Sequence, residues 1–70
     1  MMEKHSVTID GHATSVSLEA EFWAELKRLA ASEGLALAAL ISQIDTNRNS
    51  GLSGALRVFV LERLKQEAGR

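Results

Sequence analysis

The sequence predicts a mostly helical chain with one short β-strand per chain, a strand that needs a hydrogen-bonding partner in this chain or in a second copy, and a fold small enough to close only as a homodimer. Three observations predict it. Residues 12–18 alternate in polarity, three later segments carry helical periodicity, and a 70-residue chain without cysteine can enclose only a thin core. A chain this short buries only ~60% of the surface its unfolded form exposes. Small proteins make up the deficit with disulfides, a metal or oligomerisation. With no cysteine and two histidines, His5 and His12, only oligomerisation remains, and no metal or other cofactor is expected.

The hydrophobic fraction of 46%, the absence of proline and the presence of only five glycines describe one folded unit over residues 1–70, without a linker or disordered tail. A net charge of −1 excludes bulk attraction to nucleic acid or acidic lipid, so any DNA contact must be locally arranged. The amino end, Met1-Met2-Glu3-Lys4-His5, holds no apolar run; neither a signal peptide nor a membrane span is expected, and the location expected is cytoplasmic.

The strand is expected at about 13–18. Thr14, Val16 and Leu18 share one face, and Ala13, Ser15 and Ser17 share the other. Its backbone donors and acceptors need a neighbouring strand, in this chain or in another. Ser6-Val7-Thr8-Ile9 also alternates and is joined to it by Asp10-Gly11, a favoured hairpin turn. A hairpin of 6–9 with 12–16 is therefore the alternative, and it leaves the second edge of 13–18 for pairing with a symmetry mate.

Helix A is expected over about 20–33, with Gly34 as a left-handed stop. Phe22, Leu26, Leu29 and Ala30 form its apolar stripe with Trp23 beside them, and Glu21, Glu25, Lys27 and Arg28 face away. Helix B, about 37–47, turns Leu37, Leu40, Ile41 and Ile44 inward. A polar turn follows from Asn47 to Gly51, in which Arg48 is expected to pair with Asp45 or to cap a helix carbonyl. Helix C is expected over about 52–67, with Ser53 as its starting hydroxyl. Ala55, Leu56, Val58, Phe59, Val60, Leu61 and Leu64 cover more than half its circumference, so part of it should meet another subunit.

The order of strand, helix, glycine-centred turn and apolar helix, with Ser15-Val16-Ser17-Leu18-Glu19 leading into Phe22-Trp23 and Gly34 preceding Leu40-Ile41, resembles the ribbon-helix-helix family. The segment from Ile44-Asp45 through Leu52-Ser53-Gly54-Ala55-Leu56 to Leu61 resembles a small bacterial branch of it with an additional C-terminal helix. The resemblance implies a dimer joined by a two-stranded antiparallel ribbon whose outer face enters the major groove of DNA. The groove-facing residues it implies are Ala13, Ser15 and Ser17. It also implies a phosphate held by backbone amides at the start of helix B, Leu35, Ala36 and Leu37. Both features depart from the family's usual pattern: alanine and serine replace long polar side chains, and Ala36 stands where a capping hydroxyl is usual.

No nucleophilic triad, glycine-rich phosphate loop or zinc spacing occurs, so no enzyme is expected. Lys27, Arg28 and Arg57 are candidate phosphate contacts, and Trp23 is a core or interface aromatic. Two functions compete: a dimeric DNA-binding transcriptional regulator, and a protein-interaction or assembly module on the same fold that has lost DNA reading. A self-contained monomer of one hairpin and three helices is the third arrangement.

Overall fold

The computed structural model describes residues 1–47 and 51–69 of the chain. Strand β1 (Met2–Ile9) and strand β2 (His12–Glu19) form a hairpin, followed by helices α1 (Ala20–Ser32), α2 (Leu37–Asn47) and α3 (Leu52–Ala68). Arg48, expected to pair with Asp45 or to cap a helix carbonyl, lies outside the described residues.

The expectation of one strand per chain is corrected. Residues 2–9 pair antiparallel with 12–19, from Ile9 opposite His12 to Met2 opposite Glu19, so β2 finds its complement inside the same chain. The turn explains why the hairpin closes: Asp10 at φ 52° and Gly11 at φ 80° are both left-handed, the geometry that matches the twist of two strands joined by two residues. The pairing also runs past the 6–9 segment that alternates. Lys4 and Glu3, which carry no apolar signal, are held because Leu18 and Ser17 stand opposite and the Trp23 Nε1–H donates to the Glu3 carbonyl at 3.0 Å.

A two-residue loop makes Ile9 and His12 a hydrogen-bonded pair, and the amide of Ala20 donating to the Met1 carbonyl at 3.0 Å keeps that phase at the far end. The backbone groups of Ala13, Ser15 and Ser17 therefore point to the outer edge of β2. At Ser17 that edge is already in use, because the Ser53 hydroxyl donates to the Ser17 carbonyl at 3.3 Å. Ser53 thus ties α3 to the ribbon, where a helix-start role was expected; α3 begins after Gly51 without a side-chain cap.

The helices all pack on one face of the hairpin, α2 beneath β1 and α1 and α3 beneath β2. Val16, Leu18, Trp23, Leu26, Leu29, Leu40, Ile41, Leu56 and Val60 form the centre of the core, each at most 3% exposed. Full burial of one such aliphatic side chain stabilises by about 1.5–3 kcal/mol. Trp23 is the deepest aromatic, while Phe22, expected on the main stripe, sits at the margin beneath the Arg57 guanidinium, 5.9 Å from its ring centre. Helix α1 ends at Gly34, whose φ of 70° lets its amide reach the Ala31 carbonyl and lets the Leu35 amide reach that of Ala30.

Arg57 also donates to the Glu19 carboxylate at 3.0 Å, a second tie between α3 and the end of the ribbon. A hydrogen bond from its own backbone amide, then the Arg57 guanidinium, holds the Glu19 carboxyl below the ordinary glutamate value of 4.5. A depressed carboxyl stabilises the fold above its unfolded value and loses that contribution as pH falls through the folded one. In an NMR titration Glu19 is expected to protonate below pH 4.5, and Arg57→Gln to move that midpoint upward; an unmoved midpoint would exclude the pair as a cause. Leu26, fully buried, is expected to cost about 2–5 kcal/mol when replaced by alanine, measured by urea unfolding followed through Trp23 fluorescence.

Candidate nucleic-acid interface

The face of the hairpin turned away from the helices is built from four cross-strand rows: Met2 with Glu19, Lys4 with Ser17, Ser6 with Ser15, and Thr8 with Ala13. Alternation along each strand puts these eight side chains together, because their neighbours Val7, Ile9, Val16 and Leu18 are drawn to the core. Ala13 and Ser15 are exposed on this face, and Ser17 is half-buried beside α3. Lys4, Ser6 and Thr8 complete it from β1, and all three are exposed. Reading β2 alone missed them; Ser6 and Thr8 carried the same alternation, whereas Lys4 stood in a stretch without an apolar partner face.

The three residues assigned to the start of α2 separate. Leu35 gives its amide to the Ala30 carbonyl at 2.9 Å, so it has no free donor to offer, and its side chain packs against the core. Ala36 is exposed and its carbonyl accepts the Leu40 amide at 3.1 Å, the first turn of α2. The amides of Leu37, Ala38 and Ala39 precede that bond and have no partner within the helix. They, rather than Leu35, carry the partial positive charge of the helix end.

The cations divide by residue type. Arg28 is held by Glu67 at 3.0 Å and Glu25 at 2.7 Å, which push its guanidinium still further towards the protonated form; Arg57 is held by Glu19, and Arg63 by Glu33. The arginines considered as phosphate contacts, Arg28 and Arg57, are therefore engaged with carboxylates. Lys4 and Lys27 are exposed and have no carboxylate in ion-pairing range among the described residues. Among those residues there is also no cluster of three side chains suited to a metal, and no helix long and apolar enough to cross a membrane.

No curated protein matches the chain. Among solved structures, an uncharacterized protein from Bordetella pertussis Tohama I is similar to it, with a TM-score of 0.85 and 28% identity over 99% of this chain. The match takes in 60% of that protein, so this chain spans less than two thirds of its length. The family model of the ribbon-helix-helix domain matches residues 2–64, and such domains are in general DNA-binding transcription regulators, a non-enzymatic fold. A ribbon that runs directly into helix, turn and helix, matched by that model over nearly the whole sequence, makes this chain a member of the ribbon-helix-helix family.

Proposed function

We propose that this chain is a DNA-binding transcriptional regulator that lays the outer face of its ribbon in the major groove. The observation that carries the reading is that face itself: apart from Met2 and Ala13 it is made of hydroxyls and charged groups, and all of it but Ser17 and Glu19, which lie beside α3, is exposed. A two-stranded ribbon fits the major groove, and serine or threonine there contacts base edges or phosphates. The free amides of Leu37, Ala38 and Ala39 offer a second, backbone contact for a phosphate. Residues 1–70 act as one unit in this reading, in the cytoplasm of a bacterial cell, without a cofactor.

The working form is a homodimer. Strand β1 takes one edge of β2 and leaves the outer edge, at Ala13 and Ser15, for pairing with a second copy; further support for that copy comes from α3, whose outward side leaves Val58 and Leu61 55% and Leu64 39% exposed. A helix apolar on both sides is suited to burial. The same observation favours the second reading, an interaction or assembly module: beside these residues a groove of about 490 Å3 lies between α2 and α3, floored by Leu40, Ile44, Ala55 and Phe59.

Ser15→Glu with Ser17→Glu is expected to abolish the shift of promoter fragments that the parent chain produces at low salt. Equal binding by the double variant would remove the ribbon from the interface. Leu61→Glu is expected to halve the particle mass in light scattering; a parent that binds no DNA at low salt yet stays oligomeric would leave the assembly reading in its place.

A further inference from the structure

We propose that the open edge of β2 takes the β2 strand of a second copy about a two-fold axis at Thr14. Two chains then share one four-stranded antiparallel sheet, with the two β2 strands at its centre and a β1 strand on each flank. The inference rests on the homodimer reading above and fixes where the two copies pair and how many strands they join. Strand β1 covers the other edge of β2 along its whole length, in eight continuous pairs without a bulge. The groups left over are the amides and carbonyls of Ala13 and Ser15, which point outward and have no backbone partner among the described residues. Sheet edges that stay free in water are blunted by charge, proline or a bulge. Strand β1 carries Glu3 and Lys4, whereas Ala13-Thr14-Ser15 has neither charge nor proline.

Ser53 selects the register. Its hydroxyl donates to the Ser17 carbonyl at 3.3 Å, and Ser17 is half-buried beside α3, so the edge is closed from that residue onward. An axis at Ser15 would set the partner's Ala13 against Ser17, where α3 already stands. An axis at Ala13 would call on Gly11, which is turned into the hairpin bend at φ 80°. An axis at Thr14 sets Ala13 against the partner's Ser15 and Ser15 against the partner's Ala13, and each of these pairs exchanges both of its backbone bonds. Opposite Ser17 the second β2 strand has reached its own turn, which leaves room for Ser53. A separate observation points to the same place. His12 and Thr14 share the helix-facing side of β2 with the buried Val16 and Leu18, yet both are exposed, beside a hollow of about 310 Å3 lined also by Ile9 and Leu52. A second β2 laid along this edge brings Thr14 against the partner's Thr14 on that uncovered side.

The test is disulfide trapping in the full chain, which has no cysteine of its own. In an antiparallel pair, facing residues that exchange no backbone bonds lie about 4.5 Å apart at Cα, within reach of a disulfide. Thr14→Cys in a glutathione buffer is therefore expected to form a covalent dimer about tenfold faster than Ser15→Cys, whose copies stand about 7–8 Å apart on the diagonal. Both positions are exposed, so neither substitution disturbs the core. Trapping that is faster for Ser15→Cys than for Thr14→Cys would overturn the axis. A parent that is dimeric in light scattering, with neither variant trapped faster than Lys27→Cys on the exposed side of α1, would overturn the shared sheet and leave the homodimer to α3. A parent that stays monomeric at every concentration would overturn the homodimer reading, and the sheet with it.

Discussion

The backbone pairing of residues 2–9 with 12–19 is the constraint on which the rest of the structure depends. An unpaired strand leaves a row of donors and acceptors that only another strand can satisfy well. By meeting that need locally, β1 fixes which side of β2 faces the core, since a slip of one residue would send Val16 and Leu18 to solvent and Ser15 and Ser17 inward. The same choice sets the position of α1, which follows β2 without a linker and carries Trp23 back under β1 to the Glu3 carbonyl. Hairpin and first helix are thus one unit, and α2 and α3 close over it.

The helices were legible because their signals are local. Gly34 ends α1 at a left-handed position that only glycine adopts freely, and α2 ends at Asn47 and α3 begins at Leu52, where the sequence signals put those bounds. The inward and outward sets of β2 were legible for the same reason, since strict alternation leaves one way to bury Val16 and Leu18. The partner of β2 was not. A strand's partner is a non-local property, and the segment from Met2 to His5 shows no apolar alternation; it is held from outside, by backbone register and by one indole hydrogen bond. That is also why Lys4 was absent from the reading of the site while Ser15 and Ser17 were in it. The amide of Leu35 was assigned to a ligand because sequence spacing marks where a helix starts, whereas the turn that ends the preceding helix had already used it.

With one edge of β2 satisfied inside the chain and the other open at Ala13 and Ser15, α3 adds to the case for a second copy. This helix turns Leu56 and Val60 to the core and Val58, Leu61 and Leu64 to solvent, so it has two apolar sides where a surface helix has one. Its first half is fixed to the ribbon by Ser53 and Arg57, and further along Arg28 and Glu33 of the α1 end hold Glu67 and Arg63. An outward stripe on so firmly tied a helix is preorganised, and a rigid surface loses less conformational entropy on association than a mobile one.

The arrangement of charge bears on how such a protein would find a site on DNA. Affinity for arbitrary sequence comes mostly from phosphates neutralised by lysine and arginine, and it falls as salt displaces them. Here three arginines are committed to carboxylates and the net charge is −1, so that general attraction is small. A reading face of hydroxyls with one lysine gains little from any duplex it merely approaches. It gains from one whose groove matches its width and whose acceptors meet Ser6, Thr8 and Ser15. Low general affinity lowers the competition from the many wrong sites, and what counts in a genome is the ratio between right and wrong. For a face this sparing of charge, discrimination would rest on the fit of the hairpin to the groove, and the shape of that hairpin is set by the same eight residue pairs that order the fold.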